Sequence, residues 1–179
     1  VSTGCVFCQN QSYVANSDGV GSVDVYNGSL SLVHSFTDAS LSVLGYKPFN
    51  VKIIKNQVYV TFATVAGLGN GYVDVFGLDG VFIKRLLNRG PLNQPWGMEA
   101  DLDNNLLYVG NHGDGKILLF DLCHGQWIRA VTDVKNNQLQ VDGLWSLVRS
   151  LNTCHFSLYC TAGIVQGTQG VLGLLSLDV

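Results

Sequence analysis

Val51-Lys-Ile-Ile-Lys-Asn-Gln-Val-Tyr-Val60 runs, after a polar Gly-rich stretch, into Gly71-Tyr-Val-Asp-Val-Phe76. Both segments are short, rich in Val, Ile, Tyr and Phe, and bounded by Gly and Asn, so they read as strands. The pattern recurs. Cys5-Val-Phe-Cys-Gln-Asn-Gln-Ser-Tyr-Val14 aligns without a gap over Val51–Val60, and Gly21-Ser-Val-Asp-Val-Tyr26 follows it. Tyr108-Val-Gly110 leads to Gly115-Lys-Ile-Leu-Leu-Phe120, and Tyr159-Cys-Thr161 leads to Gly170-Val-Leu-Gly-Leu-Leu175. The repeated tyrosines 13, 59, 108 and 159 are spaced by 46, 49 and 51 residues.

Each unit has a short apolar segment before its Tyr, here Gly97–Ala100 and Gly143–Leu147 in the last two units. Three of the four have a further one after the second run: Ser31–Phe36, Val81–Leu86 and Trp127–Val131. Tyr26-Asn-Gly28, Leu78-Asp-Gly80 and Asp103-Asn-Asn105 read as the turns between them. No stretch keeps a 3.6-residue period long enough for a sizeable helix. Four strands in roughly 45–50 residues is the period of a propeller blade, a small antiparallel sheet that needs neighbours to bury its faces. The expected fold is therefore all-β: a β-propeller domain over 1–179 with about four four-stranded blades and essentially no helix. The blades fall at 1–40, 41–89, 90–136 and 137–179, and the last lacks its outer strand.

Composition narrows the function classes. The chain of 179 residues is 47% hydrophobic and only 13% charged, against roughly 25% charged in an average globular chain. Disorder is excluded on that ground. A net charge of -3 without a basic run argues against nucleic acid, whose binders cluster Lys and Arg. No apolar run reaches the ~18–20 residues of a membrane helix. The start at Val1, the low charge and the five cysteines point to a processed, extracellular protein.

Pro95-Trp-Gly-Met-Glu-Ala-Asp-Leu-Asp-Asn-Asn-Leu-Leu-Tyr-Val-Gly-Asn111 with Gly115–Asp121 resembles an NHL-type propeller repeat. Together with Gly90-Pro-Leu-Asn-Gln-Pro-Trp-Gly97, Val141-Asp-Gly-Leu-Trp145 and Thr161-Ala-Gly163, it is similar to a family of secreted, mostly bacterial, functionally uncharacterised six-bladed propellers. That resemblance implies that the chain is the C-terminal two-thirds of such a ring. The cysteines depart from the bacterial pattern.

Six-bladed propellers of the gluconolactonase and paraoxonase type hold a divalent cation just before the innermost strands, on oxygen ligands suited to Ca²⁺. Asp142 resembles one such position, and Asn50, Trp96 and Thr3 stand at the expected equivalents. Asn50 and Asp142 alone are too few oxygen donors for a site, so no cofactor is expected. Asn111-His112-Gly-Asp114 is the most polar motif: His112 and Asp114 could ligate a metal or act as acid and base, or Asp114 could simply bond backbone N–H groups in a turn. Trp96 and Trp145 read as packing or as a stacking surface. With Asn111, His112 and Asp114 they form the candidate ligand-binding set. Asp24 and Asp74 recur in Val-Asp-Val and read as structural.

Cys5, Cys8 and Cys160 take the places of Val or Ile and read as buried apolar residues, while Cys123 falls in an exposed turn. Cys154 is too far along one extended strand to bond Cys160. Asn10-Gln-Ser12 and Asn27-Gly-Ser29 are glycosylation sequons if the source is eukaryotic and secretory.

Three functions stay open. The first is a non-catalytic extracellular module that self-assembles or binds partners through uncovered blade faces, with a filament as one outcome. The second is a metal-dependent lactonase or esterase, and the third a glycan- or small-ligand-binding propeller.

Overall fold

A computed structural model describes residues 3–6, 11–64, 67–151, 156–165 and 167–177. It holds four antiparallel sheets in chain order, each strand pairing with the next. Blade one is β1 (Thr3–Val6), β2 (Gln11–Asn16), β3 (Ser22–Tyr26) and β4 (Leu32–Phe36). Blade two is β5 (Lys47–Ile54), β6 (Gln57–Ala63), β7 (Gly71–Phe76) and β8 (Phe82–Asn88). Blade three is β9 (Pro95–Asp101), β10 (Leu106–Asn111), β11 (Ile117–Asp121) and β12 (Trp127–Ala130). Blade four has three strands, β13 (Leu144–Arg149), β14 (Ser157–Ile164) and β15 (Gln169–Ser176). Among the described residues the one helix is α1 (Ala39–Ser42), a single turn between blades one and two. Asp38 caps it by accepting from the N–H groups of Ser40 and Leu41.

The core lies between blades. One apolar cluster joins blades one and two around Tyr13, Val25, Leu41, Val60 and Phe76. A second joins two and three around Tyr59, Val75, Met98 and Leu118, and a third joins three and four around Tyr108, Ile117, Leu144 and Leu158. Blades two and three are thus covered on both faces, and every residue of β7 is buried. Blades one and four are covered on one face, so β2 alternates buried and half-buried positions while β15 is largely exposed. The repeated tyrosines sit in β2, β6, β10 and β14, and the first three are buried.

The first strand of blade one departs from the gapless alignment. Gly4 pairs with Tyr13 whereas Lys52 pairs with Tyr59, so Gly4, not Val6, stands where Lys52 stands. Residues 7–10 join β1 to β2, whereas only Lys55-Asn56, both at positive φ, join β5 to β6. Cys5 is therefore the counterpart of Ile53. Cys8 and Cys154 lie outside the described residues. Cys160 is buried in place of Val, and Cys123 is exposed, both as free thiols.

The two Val-Asp-Val carboxylates are structural by different means. Asp24 accepts from Asn16, Ser22 and Ser35. Burial would raise its pKa, but those three donors outweigh it and hold it below the usual carboxylate range. Asp74, fully buried, faces the Arg85 guanidinium, which also pairs with Asp38 at the cap of α1.

Glu99 ties three blades together. Its carboxylate accepts from Lys52 Nζ on β5 at 2.7 Å and from the Arg149 N–H on β13 at 2.8 Å. Glu99→Gln keeps an acceptor for Arg149 but loses the charge that faces Lys52. The variant should unfold about 1–2 kcal/mol more easily in urea at neutral pH. An unchanged midpoint would show that the Glu99 charge facing Lys52 carries no stability.

Candidate functional site

The first strands of successive blades pack side by side, β1 by β5, β5 by β9 and β9 by β13, and so form the inner side of the array. Three of them carry the same irregularity near their start. In β5 the pairing jumps from Pro48↔Phe62 to Asn50↔Thr61, which leaves Phe49 as the extra residue. In β13 it jumps from Leu144↔Ala162 to Ser146↔Thr161, which leaves out Trp145. In β9, Trp96 and Gly97 together oppose the single residue Gly110. A β-bulge re-aims a side chain, and here it does so to an aromatic ring in each of three blades.

The rings meet. Phe49 and Trp96 lie edge to face at 4.8 Å between centroids, and Trp96 and Trp145 lie 4.9 Å apart at 43°. His112, at the far end of β10, lies 5.6 Å from both tryptophans. Its Nδ1 is 3.0 Å from the Leu144 carbonyl, which makes Nδ1–H the donor and leaves Nε2 as an acceptor when the ring is neutral. Trp145 is 43% exposed, so the cluster opens to solvent on the blade-four side.

Beside it lies a cavity of about 330 Å³ lined by His112, Asp142, Gly143, Trp145, Gly163 and Gly167. Gly143 sits at φ +62°, and a Cβ there would come within 2.2 Å of the Gly163 carbonyl oxygen. A Cβ on Gly163 would lie 3.1 Å from Trp145 Nε1. At Gly143 the backbones approach too closely for a side chain, and at Gly163 the Trp145 ring lies against the space one would fill.

The structure brings Trp96, His112 and Trp145 together and adds Phe49, which the sequence alone does not single out. Asn111, fully buried, accepts from the Asn93 N–H and donates to the Pro91 carbonyl, so its amide holds the turn. Asp114 accepts from the Lys116 N–H and pairs with the Lys116 ammonium at 3.5 Å. Asn50 donates to the Trp96 carbonyl and accepts from the Val51 N–H, which occupies both ends of its amide.

The sequence equivalence of Asn50, Trp96 and Asp142 needs correcting. By strand register the counterparts are Phe49, Trp96 and Trp145, each three residues before the partner of the blade's tyrosine. Asn50 corresponds to Gly97 and Ser146, and Asp142 to Asn93, three residues upstream of the bulge. Thr3, paired with Val14 as Val51 is with Val60, is the counterpart of Val51. Among the described residues no three His, Cys, Asp or Glu side chains gather as a metal site.

At the opposite edge, β4, β8 and β12 each begin with two exposed apolar residues: Leu32-Val33, Phe82-Ile83 and Trp127-Ile128, all between 45% and 57% exposed. On β15, Val171, Leu172 and Leu174 are also exposed. Asn27 lies in an exposed turn, its side-chain oxygen accepting from the N–H groups of Ser29 and Ser31. Asn10 lies outside the described residues. No helix among the described residues is long and apolar enough to cross a membrane.

No family model matches the chain. It is similar to three uncharacterised proteins of Acanthamoeba polyphaga mimivirus. One is 35% identical, over 75% of this chain and 39% of the relative. The others are 30% identical over 75% and 37%, and 29% identical over 89% and 33%. The chain thus spans little more than a third of the length of these relatives. Among solved structures it resembles a glutaminyl cyclase of Myxococcus xanthus, with TM-score 0.56 and 10% identity over 94% of this chain and 70% of that one. It also resembles the Dos1 propeller, with TM-score 0.56 and 9% identity over 94% and 46%. At that identity the likeness establishes the fold alone: this chain is a β-propeller.

Proposed function

We propose that this chain is a non-catalytic propeller module that works by association, its outer rim docking on further polypeptide. The observation that carries this is the exposed apolar pair at the start of β4, β8 and β12, repeated once per blade. Isolated exposed apolar residues are ordinary, but three equivalent pairs in register form the kind of surface that partners cover. The relatives' greater length supports a partner within the same polypeptide, and self-association is the other source. The low charge and the exposed sequon at Asn27 support an extracellular setting.

The native mass of the chain, measured beside its denatured mass, tests this. Association predicts a native species larger than the 19.3 kDa chain. Phe82→Glu with Trp127→Glu should return it to monomer without changing the far-UV spectrum. A compact native monomer that also fails to bind the remainder of a longer parent chain would sink the reading. A glycan at Asn27 would raise the denatured mass above that of the polypeptide.

The bulged aromatic cluster favours a second reading, a small-ligand site at the inner mouth, because three blades independently present a ring to one place. It is compatible with the first, since rim and mouth lie on opposite strands of each blade.

A further inference from the structure

We propose that the cavity between His112 and Trp145 binds a small organic cation of the alkylammonium class, an inference that rests on the mouth being a ligand site. Three observations give the class. Among the described residues the lining carries no Lys or Arg. What it offers is an indole wall, the His112 Nε2 lone pair in the neutral ring, a glycine-backbone floor and the Asp142 carboxylate. Apart from the indole N–H and whatever backbone N–H groups the floor exposes, these are groups that attract positive charge.

The Asp142 carboxylate is exposed and, among the described residues, has no hydrogen bond or ion pair. The backbone around it is tied down: Leu144 N–H bonds the Val141 carbonyl, and Gly163 N–H bonds the Gly143 carbonyl. A carboxylate held on a fixed backbone beside an indole, with no cation of its own, is complementary to a cationic ligand. Trp gives the strongest cation–π attraction of the aromatic side chains, and a nearby carboxylate adds a Coulombic pull. The Trp96 ring packed against Trp145 at 4.9 Å fixes the wall's orientation before any ligand arrives. A neutral sugar would call for paired donors and acceptors around a platform. A metal ion would call for several more oxygen ligands than one carboxylate supplies.

The test compares choline with its uncharged carbon isostere, 3,3-dimethyl-1-butanol, and with glucose, by isothermal titration at low ionic strength. Choline should bind at least ~10-fold more tightly than the isostere. Asp142→Asn, an exposed substitution that leaves the fold intact, should weaken choline about 5-fold or more and leave the isostere unchanged. Trp145→Ala should abolish choline binding. If that variant fails to fold, Trp145→Leu, which keeps an apolar wall without the ring, serves instead. Equal affinity for choline and the isostere, or binding of glucose alone, would overturn the cation assignment while leaving the mouth a ligand site. No binding by any of the three would overturn both.

Discussion

Replacing Gly97 by alanine should lower the stability of the fold by about 3 kcal/mol, the upper part of the range for overpacking a tight contact. Gly97 is the second residue of the β9 bulge, and there β9 lies directly against β13. A Cβ built on it would lie 2.7 Å from the Leu147 nitrogen and 2.9 Å from both the Ser146 carbon and the Trp145 oxygen. All three are backbone atoms of a paired strand, so no side chain can swing away. The strain must move β9 against β13 and open the third interblade core, where Leu144 and Leu147 are buried. For a chain of this size the denaturation midpoint should fall by roughly 6–12 °C. Gly170→Ala is the control, since a Cβ there meets nothing within 4 Å. Because the clash is with the Trp145 carbonyl, Gly97→Ala should also shift tryptophan emission. Equal midpoints for wild type and Gly97→Ala would mean that the inner strands are not held as closely as described.

That contact also shows where the sequence stops being legible. The blades can be read from it because burial between neighbours imposes the same strand pattern four times, and Tyr13, Tyr59 and Tyr108 are buried in equivalent places. The chemistry of Val-Asp-Val is half legible. Repetition marks Asp24 and Asp74 as structural, but whether hydroxyl donors or Arg85 satisfy them depends on the strand opposite. The mouth is the least legible part. Phe49, Trp96 and Trp145 stand 10, 12 and 14 residues before the tyrosine of their blade. The reason is the turn after each inner strand. Residues 55–56 suffice in blade two and residues 102–105 are needed in blade three, while in blade four the spacing from Arg149 to its partner Leu158 is longer again. A comparison without gaps therefore slides the aromatic positions past one another, and only strand pairing restores them. Asn50, Trp96 and Asp142 do not form a row by strand pairing either: Asn50 bonds the backbone on both sides and Asp142 faces solvent. The rim pairs are visible as letters, but their exposure depends on no further strand packing over β4, β8 and β12.

Raising the pH from about 5 to 7.5 should destabilise this protein, and Asp74 is the reason. Burial pushes its carboxyl up to about 7 from an ordinary 3.8. Arg85 pulls the other way, its Nε 2.9 Å from Asp74, but Asp38 competes for the same guanidinium and adds its own negative charge. Two carboxylates share one cation, and Asp74 itself is fully buried while Arg85 is partly exposed, so burial wins. The sign follows from linkage. The folded state holds a proton on Asp74 that the unfolded chain has already released above pH 4. The stabilisation is complete below the unfolded value of 3.8 and is lost as pH rises through about 7. A shift of that size corresponds to roughly 4 kcal/mol in full, of which roughly 2–3 kcal/mol is lost between pH 5 and 7.5. Asp24 and Asp38 act oppositely, since both are held below the ordinary value, and their stabilisation is lost only on further acidification. The contribution of these three carboxylates therefore falls on both sides of about pH 4. Asp74→Asn cannot titrate, so urea unfolding of that variant at pH 5 and 7.5 should give nearly the same free energy, while the wild type loses stability between them. The expected slope is opposite to that of a protein held together by depressed carboxylates. A wild type that is flat or gains stability across this range would show that Asp74 is ionised in the folded state, with Arg85 stabilising its charge in full.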